Sequence, residues 1–514
     1  MPNLSGIVVA DWVTMGARQH PGRPCIVMGD GSSRSYAEIE ERITRLGSAM
    51  TAHGVTRGAR IALLATDSAE YLETMFVCAK LGAAAIPLNY RQTVPELAVL
   101  LDAGRATWLF VTRRYLDMAV ALRDRVSTLE TIVLIDGEAD GVLGYEALVA
   151  EGSPEPWRIA VDDEEILLIA FTSGTTGNPK GVMQSHRMYK RKSVAGAVEY
   201  RVRQGAFRYS AAPLHHVGGS GMVFQGLSRG ASTLILPQFG PEDVVEWLGK
   251  GLNSVFLVPT MISRILALPG IRDARFPALE SIVYGAAPMP PSLLAAAMEV
   301  FDCDFYNGFG AGTEAGMQAV LGPEEHRRAL AGETHLLQSI GKPGVGVDLR
   351  LVDDDWQDVE PGETGEIASR SEHVMSGYLD QPERTAQVFH EGWFRGGDLA
   401  HFDAEGYLYF DGRKDDMILR GGENIYPIEI EDVLSSHPSV REVAVVGIPD
   451  EHWGQIVRAC LVPGEGYDED ALRSYCRERL AGYKVPAEFR VHAELPRNPN
   501  GKILKRRLRQ EVTS

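Results

Sequence analysis

Apolar positions in SYAEIEERITRLGSAMTAHG (35–54) recur every three to four residues. They place Ile39, Ile43, Leu46 and Met50 on one helical face, with Gly54 able to stop the helix. ARIALLA (59–65) is a short apolar run that predicts a buried strand, and SAEYLETMFVCAKLG (68–82) predicts a second helix ending at Gly82. AAAIPLN (83–89), TWLFV (107–111) and TIVLI (131–135) predict further strands. Strand–helix–strand alternation implies a largely parallel sheet covered by helices. EGSPEPW (151–157) reads as a linker between lobes.

A second α/β section is expected over about 165–340. From about 347 to 412 the helical period fades, and DLRLVD, GEIASR and GYLYFDGR alternate around Gly and Asp, which predicts a small β-rich region. The last hundred residues restart as a compact unit, with a helix over 427–436, a strand over 442–446, a helix over 468–480 and a basic tail. No internal repeat or low-complexity segment interrupts the pattern. The expected fold is α/β, with a large N-terminal domain of α/β subdomains plus a β-rich subdomain and a small α+β C-terminal domain. The boundary falls in the charged turn DGRKDD (411–416), giving domains 1–414 and 415–514.

A chain of 514 residues is long for one hydrophobic core, which agrees with several domains. The formal net charge of −18 argues against nucleic acid or an anionic membrane as the main partner. Cys25, Cys78, Cys303, Cys460 and Cys476 form no C-x-x-C pair and are expected to be reduced thiols. No signal peptide, membrane span or C-terminal targeting tripeptide is read from the chain, so a cytoplasmic location is expected.

The strongest chemical signal is EEILLIAFTSGTTGNPKGVMQSH (164–186). An apolar strand runs into Thr172, Ser173, Gly174, Thr175, Thr176, Gly177, Asn178, Pro179, Lys180 and Gly181. Small residues let backbone N–H groups approach phosphate oxygens, hydroxyls add donors, and Lys180 adds positive charge. This is not the Walker sequence, because Gly181 follows the lysine. A merely solvated turn is the weaker reading of a ten-residue pattern that ends in an ordered Lys-Gly pair.

With this loop the sequence resembles the adenylate-forming superfamily of acyl-CoA synthetases, beetle luciferases and peptide-synthetase adenylation domains. The resemblance extends over essentially the whole chain and implies roles for the motifs that follow. In Ala212-Pro213-Leu214-His215-His216, His216 matches the imidazole that gates acyl access near the carboxylate and α-phosphate, whereas His215 stands where Phe or an aliphatic residue is usual and reads as structural. Tyr284-Gly285-Ala286-Ala287-Pro288 resembles the segment against the adenine. In Tyr306-Asn307-Gly308-Phe309-Gly310-Ala311-Gly312-Thr313-Glu314, the resemblance assigns Thr313 to the α-phosphate and Glu314 to Mg²⁺. Two residues separate Phe309-Gly310 from Thr313, where the family has one. Asp398, in a W-F-x-T-G-D match with Gly396 in place of Thr, is implied to hold the ribose; Phe410 packs beside the adenine and Arg413 reaches ribose and phosphate. Asp415 matches the hinge residue, Gly421 and Gly422 the passage for the pantetheine arm of coenzyme A, and Lys502 the final lysine that bridges carboxylate and phosphate. The basic residues after Lys502 read as a solvated tail.

These residues imply an ATP-dependent acid–thiol ligase. It would form an acyl-adenylate with Mg²⁺ and then pass the acyl group to coenzyme A after the C-terminal domain turns about Asp415. The acyl pocket is expected from His216, Val217, Gly218, Gly219, Met261, Gly308 and Gly310, with its widest part in the glycine-rich 216–221 stretch. No buried charge is visible there, which favours an apolar monocarboxylate, a fatty acid first and an aryl or cinnamate-type acid as the alternative. HHVGGSGMVFQG lacks the Asp that amino-acid-activating domains place after this motif, so loading of a carrier protein is the weaker reading. An oxygen-dependent luciferase-type reaction and a catalytically inert homologue are further alternatives. The latter is opposed by Lys180, Glu314, Asp398, Arg413 and Lys502 occurring together. The acid, ATP and coenzyme A are the expected partners, and the resemblance leaves room for a homodimer.

Overall fold

The computed structural model describes residues 7–157, 159–172, 179–287, 289–421, 423–450, 452–497 and 503–511. The chain packs into two compact units, Met1–Leu349 with Ser369–Phe394, and Arg350–Ala368 with Arg395–Ser514. Residues 395–414 thus pack with the C-terminal residues. This is a division by packing, whereas the expected boundary at 414/415 concerns a pivot.

The first unit contains two sheets. One orders Gly377–Tyr378, Lys180–Ser185, Ile166–Thr172, Ala84–Pro87, Arg60–Leu64, Trp108–Val111, Thr131–Leu134 and Leu143–Gly144. The middle strands are parallel, as continuous apolar runs such as Trp108–Val111, buried at every position, predict. The expected helices occur as Tyr36–Ala52 and Ala69–Leu81. Ser35 and Glu38 form a capping box on the first, and Gly82 closes the second at φ 65°.

EGSPEPW does not separate two lobes. Trp157 donates to the carbonyl of Thr44 at 2.8 Å and its ring packs where Gly47 has no side chain, so the segment is strapped onto the Tyr36–Ala52 helix. Ile166–Thr172 beyond it returns to the same sheet as Arg60–Leu64.

The other sheet of this unit runs parallel through Asp304–Phe309, Ser281–Gly285, Ser254–Leu257, Phe207–Ser210, Ser232–Ile235 and Pro24–Met28. Antiparallel strands flank it at each end. One face is covered by helices of the 241–300 stretch around a core that includes Val244, Ile262 and Leu294. The helices His186–Glu199 and Val217–Leu227 contribute Ala197 and Met222 to a smaller cluster with Tyr200, Val283 and Tyr306.

The second unit holds the expected β-rich hairpins and a C-terminal α+β body. Val440–Asp450 and Gly454–Pro463 form a long antiparallel hairpin, far longer than the 442–446 strand the sequence predicts. The helices Pro427–Ser435 and Glu469–Arg477 complete the layer. No helix among the described residues is long and apolar enough to cross a membrane. No disulfide joins the five cysteines.

Candidate active site

Thr172 pairs with Lys180, so the strand Ile166–Thr172 is followed in sequence by its antiparallel neighbour Lys180–Ser185. A Walker loop instead enters a helix. Ser173, Gly174, Thr175, Thr176 and Gly177 lie outside the described residues. The Lys180 ammonium stands 5.6 Å from the centroid of the Tyr378 ring. Tyr378 pairs with Val182 on the next strand, so the strand register itself sets this contact.

Thr313 and Glu314 sit in a turn at 312–315. Gln184 donates to the carbonyl of Thr313 at 2.8 Å, and Met375 N–H donates to the carbonyl of Glu314 at 2.7 Å. Ser376 N–H and Leu379 N–H donate to the carbonyls of Met183 and Gly181. The strand that begins with Lys180, the 375–379 segment and the Thr-Glu turn are therefore one hydrogen-bonded assembly. Both ties to the Thr-Glu turn use backbone carbonyls. Among the described residues no three His, Cys, Asp or Glu side chains converge on a common point. A lone carboxylate suits Mg²⁺, which takes its other oxygens from phosphates and water.

His216 is the N-cap of the Val217–Leu227 helix, and its Nδ1 accepts from Gly218 N–H at 3.1 Å. That bond assigns the proton of the neutral ring to Nε2. The side chain reaches solvent yet is surrounded by protein, as on the wall of a cleft, and desolvation lowers its pKa. A neutral imidazole with a donor at Nε2 can orient a carboxylate or phosphate oxygen. His215 packs edge-on against Tyr90, with ring centroids 5.1 Å apart, in keeping with its structural reading.

Gly285 lies opposite Gly308 in the parallel ladder, and a side chain at Gly285 would meet the Gly308 carbonyl at 2.5 Å. Beyond it, Ala286 and Ala287 are exposed, and Ala286 adopts φ 66°, a conformation costly for any residue with a Cβ. An exposed, side-chain-poor strand end of this kind leaves a flat surface for a base.

The glycines expected to widen the acyl pocket divide by direction. Gly219 faces backbone, since a Cβ there would lie 2.2 Å from the Pro213 carbonyl. Gly310 likewise packs on the Gly316 carbonyl at 2.2 Å, and Gly308 faces the Tyr200 hydroxyl at 2.2 Å. Gly218 faces the His216 ring, and Gly221 has nothing within 4 Å of its missing side chain. The open wall is therefore at Gly221, and the expectation for Gly219 is corrected. Met261 is corrected as well, because it packs with the core on the far face of the sheet. Val217 is buried in the first unit's main core.

In the second unit Asp398 and Arg413 are paired in register across a hairpin, and Arg413 Nε donates to the Asp398 carboxylate at 2.8 Å. Asp398 is only 5% exposed, so the arginine offsets a buried charge. Phe410 lies on the Arg413 strand opposite Ala400. Asp415 lies in the single turn Lys414–Asp416, whose end is held by Arg509 through Asp416 at 2.7 Å. Gly421 adopts φ 61° and donates its N–H to the Trp453 carbonyl at 2.9 Å. Gly422 and Lys502 lie outside the described residues.

Two features escaped the sequence motifs. Trp453 is 45% exposed beside Gly421 and carries Arg420 over its ring at 5.5 Å. Lys192 donates to Gln184 Oε1 at 2.7 Å, behind the Thr313 contact, and burial lowers its pKa to about 7. Neither sits in a motif; only tertiary contacts bring them in.

The AMP-binding enzyme family matches residues 13–379, and the AMP-binding enzyme C-terminal domain matches 429–502. A feruloyl-CoA synthase of Amycolatopsis sp is 35% identical over 506 residues, covering 98% of each chain. An indoleacetate–CoA ligase of Aromatoleum aromaticum is 36% identical over 511 residues, again covering 98% of each. Among solved structures, the amide bond synthetase McbA from Marinactinospora thermotolerans superposes with a TM-score of 0.88 at 29% identity, covering 98% of this chain and 99% of that one.

Proposed function

The chain belongs to the AMP-binding enzyme family, and from that premise we propose that its substrate is a compact aryl or arylalkanoic monocarboxylic acid. As an AMP-forming acid–CoA ligase it uses ATP and coenzyme A, through an acyl-adenylate.

The observation that carries the substrate reading is the packing below the strand ends. A tail entering past His216 meets Gly308, whose open side is filled by the Tyr200 hydroxyl. Beneath lie Met222, Val283 and Tyr306 in one closed cluster, with Phe256 packed against it. A ring fits above such a floor; a long alkyl chain would have to displace it. The sequence alone favoured a fatty acid, because Tyr200 lies in no motif.

In the first step a carboxylate oxygen attacks the α-phosphorus of ATP, the bond to the β-phosphate breaks, and pyrophosphate leaves. Lys180 and Lys502 supply positive charge to the phosphates and the carboxylate, and His216 donates from Nε2. Such preorganised donors act where charge develops, without reorganisation during the step. Asp398 would accept from the ribose hydroxyls. Glu314 would hold Mg²⁺, whose charge offsets that of the departing pyrophosphate. In the second step the thiol sulfur of coenzyme A attacks the acyl carbon, the bond to AMP breaks, and the thiol proton is lost to solvent. Asp415 is proposed as the pivot that exchanges Lys502 for Gly421 and Gly422 between steps.

The test is acyl-AMP and acyl-CoA formation with benzoate, phenylacetate, cinnamate, hexanoate and palmitate. At least one aryl acid should exceed palmitate about tenfold or more in kcat/KM. Preference for palmitate would contradict the compact pocket. Gly221→Trp should raise KM for the larger aryl acids about tenfold, the loss of roughly 1.4 kcal/mol of binding, and leave KM for ATP unchanged. An unaltered acid profile would place the pocket away from this helix.

A further inference from the structure

Behind the Thr313-Glu314 turn runs a chain of polar contacts. Gln184 is fully buried on the Lys180–Ser185 strand. Its Nε2 donates to the Thr313 carbonyl at 2.8 Å, and its Oε1 accepts from Lys192 Nζ at 2.7 Å. A carbonyl can only accept and an ammonium can only donate, so both contacts demand the same orientation of the amide. Lys192 thus locks the amide that ties the turn to the strand beginning at Lys180.

Lys192 lies on the His186–Glu199 helix, and its ammonium stands 3.8 Å from the centroid of the Tyr189 ring, one turn earlier. The Tyr189 hydroxyl shares a hydrogen bond of 2.8 Å with Ser220, on the helix that His216 caps. The stem of the lysine is packed as well. A side chain at Gly316, where φ is 66°, would meet Lys192 Cβ at 3.6 Å and His373 Cβ at 3.4 Å. One cation therefore joins the Thr313-Glu314 turn to the helix that follows His216, two structures far apart in sequence.

The Lys192 side chain keeps some contact with solvent yet is enclosed by protein, and burial lowers its pKa to about 7. The titratable groups around it do not offset its charge. Arg191 is paired with Glu372 at 2.8 Å, and burial, helped by the charge of Lys192, holds the His373 imidazole toward its neutral form. Tyr189 presents its ring face. Among the described residues Lys192 has an amide and a ring as partners and no carboxylate. A desolvated ammonium in that position is costly to the fold, and methionine would fill the same space without the cost. What the charge supplies is orientation of the turn.

We propose that Lys192 is a positioning residue for adenylation, holding the Thr313-Glu314 turn through Gln184 and anchored through Tyr189 to the helix that His216 caps. This rests on the ligase reading, which gives Thr313 to the α-phosphate and Glu314 to Mg²⁺. Charged, Lys192 makes a charge-assisted hydrogen bond and a cation–π contact; neutral, it loses both kinds of assistance. The brace is therefore intact below about pH 7 and weakens as the pH rises through that value.

The experiment compares wild type with Lys192→Met, which keeps the stem and removes the cation, and Lys192→Arg, which keeps a cation that stays protonated. Single-turnover pyrophosphate release with the best acid of the panel should fall about tenfold in Lys192→Met, while thioester formation from pre-made acyl-adenylate stays within about twofold. In wild type, release should decline as the pH rises past about 7, and in Lys192→Arg that decline should be absent. Calorimetric titration of Mg²⁺–ATP reads the turn without any acid: Lys192→Met should bind it about tenfold more weakly and Lys192→Arg within about threefold of wild type. The Tm of Lys192→Met should equal or exceed that of wild type, because a desolvated charge is removed. Equal Mg²⁺–ATP affinity and an unchanged pH profile in Lys192→Met would overturn the proposal. So would a lowered Tm with equal losses in both half-reactions, which marks a merely structural lysine. If Lys192→Met fails to fold, Lys192→Arg decides alone, and a pH decline identical to that of wild type overturns the proposal. Pyrophosphate release absent from wild type with every acid would instead defeat the ligase reading, and the Mg²⁺–ATP titrations would still decide the role of Lys192.

Discussion

Replacing Lys502 by alanine should lower acyl-adenylate formation about a hundredfold while thioester formation from pre-made acyl-adenylate stays within about twofold of wild type. The lysine follows Pro496-Arg497-Asn498-Pro499-Asn500-Gly501, in the segment that resembles the family's final lysine loop. In the proposed mechanism its charge acts on the carboxylate and phosphate during the first step only. Loss of one charge-assisted contact in a preorganised site costs about 3 kcal/mol, which is roughly a hundredfold in rate. Single-turnover pyrophosphate release and acyl-CoA formation from synthetic acyl-adenylate must be measured on one preparation. Equal losses in both half-reactions would remove Lys502 from its assigned role.

Glu314→Gln should raise the Mg²⁺ concentration needed for half-maximal pyrophosphate release at least about tenfold, with little change in thermal stability. The two backbone contacts at this turn are indifferent to the change. The turn is held by backbone acceptors, Thr313 O from Gln184 and Glu314 O from Met375, and glutamine keeps both. What it loses is the carboxylate charge that a hard cation requires. Unchanged Mg²⁺ dependence would show that another group holds the ion, and a large drop in Tm would show that the side chain also braces the turn.

The family of this molecule was legible because its motifs are local in sequence. Asp398 and Arg413, fifteen residues apart, are brought face to face by a hairpin, a pairing that the motifs themselves did not announce. The antiparallel pairing of Ile166–Thr172 with Lys180–Ser185 was not legible, because the apolar run before Thr172 fits either connection. The helices at 35–54 and 68–82 were visible through period and end signals, and the structure keeps both.

What sequence patterning missed depends on direction and distance. Gly218, Gly219 and Gly221 read as three equivalent gaps, yet a helix turns them toward a histidine ring, a backbone and open space. Tyr200 reaches Gly308 from more than a hundred positions away. EGSPEPW has a linker's composition, but Trp157 anchors it. Each of these is a tertiary contact that outweighs a local propensity.

The central claim is that this chain activates its acid by attack of a carboxylate oxygen on the α-phosphorus of ATP. Carboxyl-¹⁸O-labelled acid, chosen as the best substrate of the panel, tests it directly. With coenzyme A present, the account predicts one ¹⁸O in the AMP released and none in pyrophosphate, with AMP and acyl-CoA formed in equal amounts. Label in inorganic phosphate with ADP as the nucleotide product, or AMP without label, would contradict it.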